Sequence, residues 1–194
     1  MSDTSAVTST TPNAIVTASV GHPIIWTTGH KKVERCSNTT CAEYNLETVD
    51  GYKSGSISTN INIDVPFFRF IELDAYLGLR AGIGTFAHPR ELSGVESRLG
   101  ISLLVNNEIK DRESRKFIDN MTLSMSLSGA YLNLDEDTHM FGASFDASVG
   151  YYFSENIAAG VGFSIYGARN SETNTDPTEE ILMINPYLQL KIAL

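Results

Sequence analysis

The chain has 194 residues, with 14 Lys+Arg against 23 Asp+Glu for a formal charge of -9 and 42% hydrophobic residues. That length is one domain's worth of material, and the acidic balance argues against nucleic acid as a partner. There is no run of about 18 apolar residues, which excludes a transmembrane helix. A mean hydropathy of -0.09 says nothing against a transmembrane barrel, because half of each barrel strand is polar. No secretory signal is visible in the opening Met1-Ser2-Asp3-Thr4. A cytoplasmic protein and a mature exported protein restarted with an initiator Met would begin alike.

Residues 1–13 are Ser/Thr-rich without an apolar period and read as a flexible lead-in to a single domain over 14–194. Ala14, Val16, Ala18, Val20, His22, Ile24 and Trp26 form the apolar parity of a first strand, broken only by the histidine. Pro23 implies an edge position or a bulge there. Residues 27–54 read as a long loop carrying Cys36 and Cys41, separated by SNTT. Such a close pair reads as a disulfide in an oxidising compartment, with two metal ligands as the alternative.

Strand two, 55–65, sets Ile57, Thr59, Ile61, Ile63 and Val65 against Ser56, Ser58, Asn60, Asn62 and Asp64. Strand three, 71–84, alternates Ile71, Leu73, Ala75, Leu77, Leu79, Ala81 and Ile83 with Glu72, Asp74, Tyr76, Gly78, Arg80, Gly82 and Gly84. So long a period of two does not fit a helix. A second loop spans about 85–97, followed by strand four with Leu99, Ile101, Leu103 and Val105 on one parity. The charge run KDRESRK at 110–116 precedes strand five, about 117–132, where Met121, Leu123, Met125 and Leu127 face away from Thr122, Ser124, Ser126 and Ser128. An acidic loop at 133–139 leads to strands six and seven at 141–153 and 157–168. A further acidic loop, 169–180, precedes the last strand, 181–194.

The polar parity of these segments is mostly Gly, Ser and Ala, as in the hairpin 141–168. That is the filling of a narrow barrel interior, and it turns the apolar parity towards lipid. The expected fold is therefore all-β: an eight-stranded antiparallel up-and-down transmembrane β-barrel. Such a sheet survives in lipid only if it closes, since no edge can be left unpaired.

In pattern, residues 14–194 resemble the small eight-stranded outer-membrane barrels, the OmpA/OmpX/OmpW-like superfamily of Gram-negative bacteria. The most specific stretch is VGYYFSENIAAGVGFSIYG at 149–167. The chain departs from that pattern at its end, Lys191-Ile192-Ala193-Leu194, where such proteins finish on an aromatic. The resemblance implies a bacterial outer-membrane location, contact with membrane lipid or lipopolysaccharide, and a monomer.

The charges expected to face inward are Asp64, Glu72, Asp74, Arg80, Arg98, Asp146 and Lys191. A lumen this narrow is filled by side chains, so these groups are expected to pair as a plug, with a narrow solute path as the alternative. Aromatics fall into two bands: Phe67, Phe117, Tyr151 and Phe153 near the short turns, and Trp26, Tyr131 and Phe141 near the long loops. Membrane interfaces favour such rings. His22 falls on the lipid parity with no clear Ser or acid beside it, so catalysis is not expected. His30, His88 and His139 fall in expected loops, and Asp135-Glu136-Asp137 lacks the spacing of a calcium loop. No cofactor or metal is expected.

The functional expectation is a non-enzymatic outer-membrane surface protein, structural or adhesive, meeting host or cell-surface partners through external loops. The runner-up is a narrow conduit for small or hydrophobic solutes, as the OmpW-like resemblance implies. Further alternatives are a lipid-modifying barrel enzyme and a soluble lipocalin-type binding barrel.

Overall fold

Alternation of large apolar with small or polar residues builds strands with two unlike faces, and a sheet of such strands can close around the small-residue face. In the computed structural model the described residues are 10–37, 40–48, 56–88, 92–109, 117–133, 139–170 and 180–194, with the backbone alone at 27–37, 40–48, 88, 92 and 170. The strands are β1 (Ile15–Gly21), β2 (Ile24–Ser37), β3 (Thr40–Thr48), β4 (Ile57–Phe70), β5 (Ala75–His88), β6 (Leu92–Val105), β7 (Met121–Asn133), β8 (His139–Tyr152), β9 (Ile157–Asn170) and β10 (Glu180–Ala193). All pairings are antiparallel, and β1 closes the wall by pairing with both β4 and β10.

β1 and the first part of β2 form one stave. Gly21 pairs with Tyr187 and Ile24 with Ile184, so the register against β10 is the same on both sides of His22-Pro23. Pro23 removes a ladder donor without inserting a residue, and the His22 N–H still reaches the Pro186 carbonyl at 3.0 Å. The bulge considered at Pro23 is thus absent. One sits instead at Phe67, where the β4–β5 register shifts between Pro66 and Phe68. With β3 outside the wall, the barrel has eight staves.

Following registered pairs once round the wall runs from Ile15 through Asp64, Arg80, Gly100, Ser128, Ser144, Tyr166 and Met183 to Ile25, ten residues further along the starting stave. With ordinary strand spacing and rise, that stagger tilts the strands by about 40°.

Several expected loops are shorter than their composition suggests. Within 27–54, β2 continues to Ser37 and pairs with β3 from Gly29↔Thr48 to Ser37↔Thr40 as a hairpin beyond the last β10 contact. Within 85–97, β5 runs to His88 and β6 starts at Leu92. Likewise β9 reaches Asn170 and β10 starts at Glu180. The runs at 110–116 and 134–138, including Asp135-Glu136-Asp137, and residues 1–9 lie outside the described residues.

The two faces differ as the parity requires. Thirty large apolar side chains among the described residues are exposed, including Ile57, Ile61, Leu79, Ile83, Leu99, Leu127, Val161 and Leu188 on the outer wall. Soluble monomers rarely expose apolar surface on this scale, and the lipocalin alternative would have turned these side chains inward. Inside, small residues let polar ones lie across the wall. A Cβ on Gly84 would fall 1.9 Å from Asn60 Oδ1, and one on Gly82 2.2 Å from Asn62 Oδ1. Each pair is a registered cross-strand neighbour, so the glycines are the space into which the asparagines lie.

Candidate functional site: the filled lumen

The lumen is layered. At mid-height Asp64 on β4 and Arg80 on β5 face each other across the ladder and join bidentately, Nε to Oδ1 at 2.7 Å and Nη2 to Oδ2 at 2.9 Å. Arg80 Nη1 donates to Ser126 Oγ at 2.7 Å, and that hydroxyl donates to Asp146 Oδ2 at 3.4 Å. Asp146 Oδ1 accepts from Arg98 Nη1 at 2.9 Å. Arg98 closes the chain with a second bidentate pair, Nε and Nη2 to Glu96 at 2.5 and 2.7 Å. Asp64, Arg80, Glu96, Arg98 and Asp146 are all buried. Ionised groups out of water need this density of partners, and planar guanidinium forks supply it.

Lys191 lies lower, buried, donating to Ser124 Oγ at 2.6 Å and Asn107 Oδ1 at 3.2 Å. Counting it, the buried charges among the described residues are Arg80, Arg98 and Lys191 against Asp64, Glu96, Asp146 and Glu108, and Glu108 also meets the half-exposed Arg69.

Above this layer Ile25, Phe86, Leu132, Met140, Tyr166, Ile181 and Met183 pack as an apolar cluster across the barrel. Below it the chain after β6 turns back under the wall. Asn106 adopts φ 52° and hydrogen-bonds through Nδ2 to the Asp119 carbonyl at 2.8 Å, a left-handed geometry that asparagine tolerates. Asn107 is fully buried, accepting from Tyr152 OH at 3.2 Å as well as from Lys191. Glu108 accepts from Tyr76 OH at 2.8 Å and from Arg69. Thr10 and Ile109 exchange backbone hydrogen bonds at 3.0 and 3.1 Å, strapping the N-terminal segment beneath. Residues 10–13 are therefore held, although their composition reads as a mobile lead-in.

Of the seven inward charges expected from the sequence, Asp64, Arg80, Arg98, Asp146 and Lys191 lie in the lumen. Glu72 and Asp74 do not, because strand three begins only at Ala75. Residues Ile71–Leu73 form a 3-10 turn at the short-turn end, with Asp74 at φ 48° closing it. Two buried acids lie outside that expectation: Glu96 falls within the expected 85–97 loop although it shares parity with Arg98, and Glu108 follows the strand and carries no periodic signal.

The aromatic bands are present on the outer wall. Phe67, Phe117 and Phe153 are exposed at the short-turn end, where Phe117 stacks on Tyr151 at 4.9 Å. At the other end Phe141 is exposed and lies 5.1 Å from Tyr131, whose hydroxyl meets His139 Nδ1 at 2.8 Å; Trp26 is half-buried there. His22 is exposed on the outer face with Nδ1 against the Ser56 carbonyl. The backbone register sets Cys36 opposite Cys41, but their side chains lie outside the described residues and the expected disulfide is not supported. Among the described residues no group of three His, Cys, Asp or Glu is placed to hold a metal.

No family model and no curated protein matches the chain. Solved structures do. Neisserial surface protein A (NspA) superposes with a TM-score of 0.52 at 11% identity, covering 94% of this chain and 97% of that one. The N-terminal β-barrel domain of Pseudomonas aeruginosa OprF gives 0.40 at 12% identity, over 92% and 99%. The outer membrane protease OmpT of Escherichia coli gives 0.37 at 11%, over 99% and 100%. Of these three, the likeness to the neisserial protein is close enough to show the fold: the chain is built as a small outer-membrane barrel is.

Proposed function

We propose that the chain is an outer-membrane surface protein whose barrel is a closed, non-conducting anchor and whose work is done by the segments it carries outside the bilayer. The observation that supports this most is the lumen, in which the chain Asp64–Arg80–Ser126–Asp146–Arg98–Glu96 links side chains of β4, β5, β6, β7 and β8. An apolar cluster lies above it and the Asn107–Glu108 segment below. Ions crossing such a lumen would have to break these buried bidentate pairs. The β2–β3 hairpin, nine residue pairs long beyond the wall, is the natural contact element for a cell-surface partner. A non-enzymatic role fits His22, whose ring meets the Ser56 main-chain carbonyl in place of a serine or an acid side chain.

A conduit role draws on a different observation. The hydroxyls of Ser58, Ser102, Ser128, Ser144 and Ser164 are buried on the inner wall without a protein partner, chemistry that suits lumenal water.

Single-channel recording in planar bilayers decides between them, with Arg80→Gln as the comparison. A closed anchor gives no discrete currents in the wild-type chain. Steady unitary currents, altered by the substitution, would replace the anchor reading with the conduit. Binding of the folded protein to cells, with and without residues 29–48, tests the surface role; undiminished binding by the shortened chain would remove the hairpin from it.

A further inference from the structure

In sequence, Cys36 and Cys41 offer two ligand atoms and no more. The ladder of the β2–β3 hairpin adds a second pair. Its register sets Cys36 opposite Cys41 and, two residues further from the tip on each strand, Glu34 opposite Glu43. Residues two apart on a strand, and residues directly opposite in a ladder, share a face. By register alone, Glu34, Cys36, Cys41 and Glu43 therefore belong to one face, in two adjacent rows. Val33, Ala42, Tyr44 and Leu46 belong to the other. Partners in a row are about 5 Å apart and adjacent rows on one face about 7 Å, a spacing that suits four ligands around one ion. The charge pattern points to a cation as well. Like charges directly opposite destabilise a ladder, and Glu34↔Glu43 is such a pair. On that face of the hairpin Lys32, in the next row, is the one lysine or arginine, against Glu34, Glu43 and Glu47.

We propose that this face of the hairpin is a zinc site, with Cys36 and Cys41 as thiolate ligands and Glu34 and Glu43 as carboxylate ligands. Four coordination is the rule for structural zinc, and thiolate with carboxylate falls within its ligand chemistry. The thiolates select against calcium and magnesium, which take oxygen alone. Zn2+ takes the place of the two thiol protons, so binding leaves the local charge unchanged and weakens as the pH falls. An ion held by both strands pins the end of the hairpin next to its turn. The hairpin continues past the last β10 contact, so the site is independent of whether the lumen conducts.

The test folds the full chain into phosphatidylcholine vesicles with Zn2+ and without added reductant, then removes loose metal by gel filtration. The proposal expects one zinc per chain by metal analysis. It also expects both thiols to react with a disulfide reagent only after a chelator has stripped the ion. Co2+ used instead of Zn2+ shows a thiolate-to-metal charge-transfer band, which Cys36→Ser/Cys41→Ser abolishes. Glu34→Gln/Glu43→Gln keeps both thiols but lowers zinc affinity by roughly tenfold or more, at least what loss of an outer-shell partner costs. Heat-modifiable gel mobility confirms that each variant retains the barrel. A chain that yields no free thiols after unfolding with chelator carries a disulfide at this position, and the proposal fails. It fails equally if the reduced chain retains no zinc, or if the glutamine variant binds zinc as tightly as the wild type.

Discussion

Asp64 and Arg80 are opposite one another in the β4–β5 register, and their side chains close a bidentate ion pair in the lumen at 2.7 and 2.9 Å. The backbone ladder and the side-chain pair are thus one feature, since a one-residue slip of either strand would turn its charged group to the other face and break the pair. Replacing Arg80 by Leu leaves Asp64 buried and uncompensated. The expected loss is about 3–5 kcal/mol, read from urea unfolding in phospholipid vesicles. The double variant Asp64→Leu/Arg80→Leu recovers most of it, and a double-mutant cycle with negligible coupling would dismiss the pair as a structural element.

Arg98 is held on two sides, by Glu96 and Asp146. Asp146→Asn therefore leaves one bidentate partner in place and costs less than Arg98→Leu, which strands two carboxylates. The same vesicle unfolding assay ranks them; an equal cost for both would mean that Asp146 and Glu96 do not share the guanidinium.

The glycines beneath the inner asparagines make a steric prediction. Gly84→Val sets side-chain atoms where Asn60 lies, 1.9 Å from Oδ1 for the first carbon alone, and costs about 1–3 kcal/mol by overpacking. Adding Asn60→Ala frees that space and restores most of the stability. An equally unstable double variant would show that backbone strain, not the asparagine, sets the need for glycine.

The short-turn end offers another test. Asn107 accepts from both Lys191 and Tyr152 inside the barrel, so Asn107→Ala removes a partner from a buried ammonium and costs about 1–3 kcal/mol. A change below about 0.5 kcal/mol, the range of ordinary surface sites, would mean that this segment does not seal the lumen.

The wall was legible in the sequence wherever one face meets lipid and the other a crowded lumen. There the alternation is forced, as along Ala75–Gly84, and parity alone places Arg80, Arg98, Asp146 and Lys191 inside. Parity misleads at the membrane edge. Ile71 and Leu73 are 81% and 69% exposed in a turn, apolar because the interface accepts them, and they carry the pattern four residues ahead of the strand's true start at Ala75. That accident drew Glu72 and Asp74 into the expected lumen. The β2–β3 hairpin lies past the last β10 contact and its β2 arm carries no apolar alternation to mark it, and the ends of β5 and β6 likewise read as loop, Glu96 among them. Asn107 and Glu108 carry no local signal, since their role depends on a chain reversal beneath the wall.

Whether the outer wall faces lipid is tested most directly at Leu99, 71% exposed at the middle of β6. Unfolding free energies of Leu99→Arg and wild type in phospholipid vesicles measure the cost of a charge there. A lipid-facing wall predicts a loss of about 2–4 kcal/mol, the cost of an arginine at the bilayer midplane on a barrel surface. A loss within about 0.5 kcal/mol, as on a surface in water, would contradict the membrane barrel.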